Sequence, residues 1–287
     1  MGRIAYVNGA FERHGDAVVH IEDRGYQLAD AVYEVWALFD GKLADAEGHF
    51  ARLERSLSEL RIDMPMSRAA LTVVLREAVR RNRVKEGLVY LQVSRGVAPR
   101  DHAFPTDPTP PSVVITVKGV DRAATEAKAA KGVSVITTPE NRWGRCDIKT
   151  VGLLPNALAK QAAREKGAAE AWFVDELGFV TEGASSNAWI VDRDGTLRTR
   201  DTNANILRGV TRHTLLDLIR DQGLKVDERP FTPAEALAAS EAFITGAGSL
   251  VLPVVAVDGK PVGDGKVGPV AKRLRSLYIE RARATAI

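Results

Sequence analysis

Three dipeptides, Asn8-Gly9, Asp40-Gly41 and Asp194-Gly195, each stand between runs rich in apolar and β-branched residues. Asn-Gly and Asp-Gly accept the positive backbone angles of tight hairpin turns, whose twist matches that of antiparallel strands. Each therefore marks a hairpin: "IAYVNGAFE", "YEVWALFDGKLA" and "NAWIVDRDGTLRTR". A further hairpin, "EAWFVDELGFVTEG", turns near Gly178. Two-residue connections join antiparallel strands only, because parallel strands need a long crossover. A chain built this way cannot be a strictly alternating parallel sheet. No GxGxxG follows a strand, and there is no phosphate-binding loop of the Walker type.

Helical patterns lie between these hairpins. Phe50, Leu53, Leu57 and Leu60 recur at helical spacing, and Ser67 is a suitable N-cap for "RAALTVVLREAVRRN". "LVYLQVSRG", "SVVITVKG" and "VSVITTP" read as strands, and "LLPNALAKQAAREKG" as a helix closed by Gly167. "TRHTLLDLIRDQG", "TPAEALAA" and "GPVAKRLRSLYIERA" are further helices. Strands and helices mix without strict alternation, which predicts an α+β fold in two lobes. "VDRAATEAKAAKG" has few large apolar residues and reads as a connection. The expected division is a small N-terminal α+β domain over 1–120, a linker over 121–130, and a larger C-terminal α+β domain over 131–287.

The chain has 287 residues and a formal net charge of +3, too little for a stripe that holds a nucleic-acid backbone. The densest basic run, Arg76 to Lys85, fits the solvated end of a helix. No apolar run reaches membrane-spanning length, and no signal-peptide core opens the chain. A single cysteine, Cys146, excludes a disulfide framework and is expected to be a buried structural thiol. A cytoplasmic protein is the expectation. The five histidines show no paired metal-ligand spacing, so no metal site is expected.

Lys149 is the unusual residue. In "RWGRCDIKTVGLLPNALAK" it follows Asp147-Ile148 and precedes Val151, Leu153 and Leu154. A lysine at the edge of an apolar run is one the chain can carry inward. Desolvation there favours a neutral amine, the form that attacks an aldehyde.

"EDRGYQLADAVYE", "HFARL", "SRGVAPRDHAFP", "RCDIKTVGLLPNALAKQAA", "TEGASSN" and "ILRGVTR" occur in the order seen in fold-type IV pyridoxal-phosphate enzymes. The set resembles the D-amino-acid aminotransferases most closely and spans nearly the whole chain. The resemblance implies the two-lobed α+β fold of that family, with Lys149, carried by the C-terminal domain, as the catalytic Schiff-base lysine. It implies pyridoxal 5'-phosphate as cofactor, with Glu182 facing the pyridine nitrogen. Arg52 corresponds to the phosphate arginine, so that Arg52→Ala should weaken cofactor binding far more than folding. Val210 and Thr211 open a helix whose N–H groups suit a phosphate. Leu207 is expected on the ring face and Arg142 near the phenolic oxygen. Where some relatives offer hydroxyls to the phosphate, this chain has Gly246 and Ala247, leaving backbone N–H groups for the task.

Tyr33, Arg100 and His102 are implied to bind the substrate carboxylate, Arg100 and His102 reaching the site of a partner subunit in a homodimer. The activity implied is ping-pong transfer of an amino group from a D-amino acid, such as D-alanine, to a 2-oxo acid, such as 2-oxoglutarate. Branched-chain L-amino-acid or (R)-amine aminotransferases and aminodeoxychorismate lyases are alternatives on the same fold.

Overall fold

The computed structural model describes residues 2–203 and 205–287. Contacts divide the chain into two compact units. The first comprises Met1–Asp121, Ile148–Gly152 and Thr285–Ile287, and the second Arg122–Asp147 and Leu153–Ala284.

In the first unit the elements are β1 (Ile4–Val7), β2 (Ala10–Arg13), α1 (Arg24–Leu28), β3 (Ala31–Phe39), β4 (Lys42–Leu43), α2 (Ala46–Glu59), α3 (Arg68–Asn82), β5 (Gly87–Ser94) and β6 (Ser112–Gly119). The strands form an antiparallel sheet in the order β2-β1-β6-β5-β3-β4. The hairpins at Asn8-Gly9 and Asp40-Gly41 form as expected, with positive φ at all four residues. Side chains alternate across a strand. Val32, Trp36 and Leu38 of β3 and Val89, Leu91 and Val93 of β5 enter one core with Phe50, Leu53, Leu57, Leu71 and Leu75 of α2 and α3. Tyr33 and Tyr90 lie on the opposite face and stack at 5.6 Å between ring centroids. Ser67 caps α3 through Ala70 N–H at 3.3 Å, and the basic run ends that helix, with Arg80 and Arg81 both bonded to Glu77.

The second unit holds α4 (Arg122–Lys131), β7 (Val133–Pro139), α5 (Leu154–Glu165), β8 (Glu170–Val174), β9 (Val180–Gly183), β10 (Asn187–Val191), β11 (Leu197–Thr199), α6 (Val210–Asp221), β12 (Val226–Glu228), α7 (Pro233–Ala238), β13 (Glu241–Gly246), β14 (Leu250–Val257), β15 (Lys260–Pro261) and α8 (Pro269–Thr285). Its sheet runs β12-β11-β10-β13-β14-β7-β8-β9, with β15 beside β14. The sheet is mixed: β7 pairs in parallel with both β14 and β8, while β13 is antiparallel to β10 and β14. The fold is α+β.

Two boundaries differ from those expected. Residues 122–131 are not a linker but helix α4, within the second unit. An alanine-rich stretch needs little apolar area to dock. Ala129 enters the core, and Glu126 takes a forked bond from Arg275 of α8 at 2.7 and 3.0 Å. Lys149 belongs not with the C-terminal unit but with the first. Ile148 is buried in the core of that unit, and the backbone beside it pairs with β3. Tyr33 N–H donates to Lys149 C=O at 3.0 Å, and Val151 N–H to Ala31 C=O at 3.1 Å.

Among the described residues no helix is long and apolar enough to cross a membrane. Truncating Ile148 to alanine is expected to destabilise the protein by roughly 2–5 kcal/mol, since it removes a buried side chain and leaves a void. Urea unfolding measures this.

Candidate active site

Lys149 is half-buried. Its side chain lies over the face of β3 that carries Tyr33, with Nζ 4.0 Å from the centroid of the Tyr33 ring. Two constraints hold it there. Ile148 and the β3 pairing fix the backbone, and Ser56 Oγ accepts from Lys149 N–H at 3.4 Å. The lysine stands in the irregular segment between β7 and α5, but its backbone is tied down to rigid elements.

On the opposite face of β3, Glu34 is fully buried. Its carboxylate accepts Arg52 Nε at 2.7 Å and Arg52 Nη2 at 2.8 Å, and meets His49 Nδ1 at 2.7 Å. Burial pushes the Glu34 carboxyl up, but Arg52 and His49 outweigh it and hold the group at about 2. For His49 burial dominates and pulls it below its ordinary value, against the pull of Glu34. A neutral His49 donating Nδ1–H to Glu34 satisfies both. The family resemblance implies a cofactor role for Arg52. It gives no sign of the partner Glu34, one residue after Tyr33, because a buried ion pair has no motif of its own.

Arg100 and His102 are exposed on the loop between β5 and β6, in the same unit as Tyr33 and Lys149. Among the described residues neither side chain makes a hydrogen bond or ion pair.

The second unit gathers the other expected residues. Glu182, on β9, is buried at 5% exposure. It accepts Asn187 Nδ2 at 2.9 Å, Leu207 N–H at 3.1 and 3.2 Å, and Arg142 Nη1 at 2.5 Å. Asn187 also donates to Leu207 C=O at 3.0 Å, which ties the Leu207 backbone to the carboxylate. Arg142 is held by Glu140 as well, Nε to Oε1 at 2.8 Å and Nη2 to Oε2 at 2.6 Å, and lies over the Phe173 ring. Burial would lower the guanidinium, but Glu140 and Glu182 raise it instead. Cys146 is half-buried rather than buried. Burial lifts its thiol to about 11, against the pull of Arg142, and Sγ donates to Trp143 C=O at 3.1 Å.

Helix α6 begins at Gly209, which offers no side-chain cap. Val210 and Thr211 are buried, and no protein acceptor meets their N–H groups among the described residues. A Cβ at Gly209 would stand 2.0 Å from Asn187 Oδ1, so only glycine lets the helix start so close to the Glu182 network. The Thr211 hydroxyl lies 3.4 Å from Tyr278 OH. A Cβ at Gly246 would be 3.2 Å from Ser185 C=O and 3.3 Å from Ser249 Oγ. A larger side chain at 246 is therefore crowded, and the Ser249 hydroxyl already stands nearby. Open buried N–H groups at a helix start suit an anion, and an anchored buried carboxylate suits a protonated ring nitrogen. This donor set fits a phosphorylated pyridine cofactor. Among the described residues no group of three or more His, Cys, Asp or Glu is placed to hold a metal ion.

Because Arg52 neutralises a fully buried carboxylate, Arg52→Ala cannot act on a cofactor alone. Stranding Glu34 is expected to cost roughly 3–5 kcal/mol of stability, measured by chemical unfolding. Stability is also expected to fall on acidification. Glu34 and His49 both have depressed values in the folded state. The unfolded chain takes up the histidine proton below about 6.5 and the carboxyl proton below about 4.5, while in the folded site His49 takes its proton only at lower pH than that and Glu34 resists until near 2. Thermal unfolding from pH 7 to 3 should show the loss, and Glu34→Gln should flatten its acidic part. Gly209→Ala should cost roughly 1–3 kcal/mol by overpacking against Asn187, read by the same unfolding assay.

The amino-transferase class IV family model matches residues 31–257. The D-alanine aminotransferase of Staphylococcus haemolyticus is 39% identical over 96% of this chain and 97% of its own length. That of Bacillus licheniformis is 39% identical over 94% and 93%. Among solved structures, the Escherichia coli branched-chain amino acid aminotransferase superposes with a TM-score of 0.90 over 99% of this chain and 96% of its own, at 24% identity. The branched-chain amino acid aminotransferase of T.th., solved with pyridoxamine 5'-phosphate, gives a TM-score of 0.89 at 27% identity, covering 99% and 95%. With the family matched across most of its length, this chain belongs to the class IV aminotransferases.

Proposed function

We propose that the protein is a pyridoxal-phosphate-dependent D-amino-acid aminotransferase that moves the amino group of D-alanine to 2-oxoglutarate. The observation that carries this reading is near-full-length identity of 37–39% to D-alanine aminotransferases. Likeness to the E. coli branched-chain enzyme, at 24% identity, speaks for fold and not for substrate.

The residues divide the work by chemistry. Glu182 would hold the pyridine nitrogen, kept in place by Asn187 and the Leu207 N–H. Arg52, the N–H groups of Val210 and Thr211, and the backbone of Gly246 and Ala247 would hold the phosphate. Leu207 would lie against the ring and Arg142 beside the phenolic oxygen. When bound, the cofactor supplies an electron sink for charge developing at the substrate Cα. Lys149 is the group that takes the proton from Cα and returns it. Tyr33 positions its amine, from 4.0 Å.

Arg100 and His102 would grip the substrate carboxylate with Tyr33, the guanidinium through a two-bond fork. The trap also explains a D preference. With the carboxylate in one pocket and the Cα hydrogen over Lys149, exchanging enantiomers places a side chain where the proton must leave. The expected assembly is a homodimer in which the Arg100 loop serves the partner subunit's site.

Purified protein with D-alanine and 2-oxoglutarate should yield pyruvate and D-glutamate, and L-alanine should not replace D-alanine. Borohydride should fix the cofactor on the peptide containing Lys149, and labelling at Lys160 would reject the assignment. Arg100→Ala should cost roughly 2–4 kcal/mol in kcat/KM for D-alanine, the loss of a charged fork. Mixing Lys149→Ala with Arg100→Ala chains should restore a low-KM activity if the loop acts across a dimer. Pyruvate release without an acceptor would point instead to a lyase.

A further inference from the structure

The loop between β5 and β6 carries Arg100 and His102 and has little regular structure, yet it is tethered at both ends and in the middle. At its base Gly96 has φ of 110°, and a Cβ there would stand 2.1 Å from Pro110 C=O. The two ends of the loop are pinched together where only glycine fits. Farther out, Arg24 Nη1 donates to Asp101 C=O at 2.7 Å, the peptide lying between Arg100 and His102. Among the described residues this is the one hydrogen bond that reaches residues 99–104 from outside the loop. Beyond it, the ring of Phe104 lies on the Arg95 guanidinium, 3.6 Å from centroid to Cζ.

Arg24 and Arg95 are both buried, at 2% and 7% exposure, and both bond one carboxylate. Arg95 forks Asp30, with Nε to Oδ2 at 2.6 Å and Nη2 to Oδ1 at 3.0 Å. Its remaining side-chain hydrogen bonds go to Leu60 C=O and Arg61 C=O at the end of α2. Asp30 is therefore neutralised without Arg24. Arg24 adds a single bond to it, Nε to Oδ2 at 2.8 Å, and extends its other arm to the loop. Burying a second guanidinium costs desolvation that the Asp30 charge does not require. The feature it does serve is the direction of the peptide between Arg100 and His102. Asp30 in turn immediately precedes β3, the strand of Tyr33. One carboxylate thus ties the loop, through Arg24 and Arg95, to the end of the rigid strand in its own chain.

We propose that Arg24 is a positioning residue for substrate specificity: by holding the Asp101 carbonyl it sets Arg100 and His102 at the angle from which they receive the substrate carboxylate. The inference rests on the carboxylate trap proposed above. Arg24 acts through the Asp101 carbonyl and not on the substrate itself. Phe104 on Arg95 is the second tether of the same device.

The test uses the holoenzyme with Arg24→Gln, Arg24→Lys, Phe104→Ala and Arg100→Ala. Steady-state kinetics are followed with D-alanine and with D-alaninamide, whose carboxylate is replaced by an uncharged amide. Arg24→Gln should raise KM for D-alanine roughly tenfold, as for losing one charge-assisted bond in the trap's support, while kcat stays within about twofold of wild type. KM for D-alaninamide should not move. Arg24→Lys should recover most of the loss, since an ammonium can still reach the carbonyl. Phe104 is half exposed, so Phe104→Ala keeps the test open if Arg24→Gln does not fold, and it should give the same split in weaker form. Equal effects on both substrates, or an unchanged KM for D-alanine, would overturn the inference. If Arg100→Ala shifts KM and the Arg24 and Phe104 variants do not, the positioning role alone fails. If Arg100→Ala leaves KM unchanged, the trap fails and this inference falls with it.

Discussion

The backbone clasp between β3 and the segment around Lys149 is the constraint on which the chemistry proposed for that lysine depends. Two hydrogen bonds, Tyr33 N–H to Lys149 C=O and Val151 N–H to Ala31 C=O, attach that segment to the edge of a strand whose other face is core. Ile148 anchors it by burial. A lysine side chain has four rotatable bonds and is a poor positioning element by itself. Here its Cα is fixed by sheet-like pairing, and the ring of Tyr33 lies beside its amine. The lysine proposed as catalytic is thus positioned by rigid elements, which hold geometry better than loops.

Strand β3 has opposite duties on its two faces. Tyr33 stands on one, with Tyr90 and Lys149. Glu34 stands on the other, fully buried with His49 and Arg52. A period of two residues makes this unavoidable: a chain that presents Tyr33 outward must turn its neighbour inward. The chain places a carboxylate at that inward position and meets its charge with an arginine fork. Arg52 is consequently a structural ion as well as a candidate phosphate ligand, and these two duties cannot be separated by truncation.

The carboxylate of Glu182 illustrates the same economy in the second unit. Its donors come from β10 through Asn187, from the backbone at Leu207, and from Arg142. Asn187 also lies so close to Gly209 that the start of α6 is set by the same side chain. The carboxylate and the open helix start are therefore positioned by one amide.

The hairpins, most of the helices and the residue types of the candidate site are legible in the amino-acid order. Turn dipeptides, helical spacing and caps are local signals, and a local signal survives without tertiary context. The ordered motifs around Lys149, Arg52 and Glu182 are legible for the same reason. Pairings between distant residues needed the folded chain. The stretch 122–131 reads as too poor in apolar residues to dock, yet Ala129 and the Glu126–Arg275 pair suffice to hold it as a helix. Position along the chain assigns Lys149 to the C-terminal domain, but strand pairing and the burial of Ile148 put it in the first unit. Glu34, His49, Asn187 and Asp30 carry no motif of their own. Each acts through a partner 5 to 65 positions away. Hydrogen bonds and buried charges are specified by proximity in space, and no one-dimensional period encodes it.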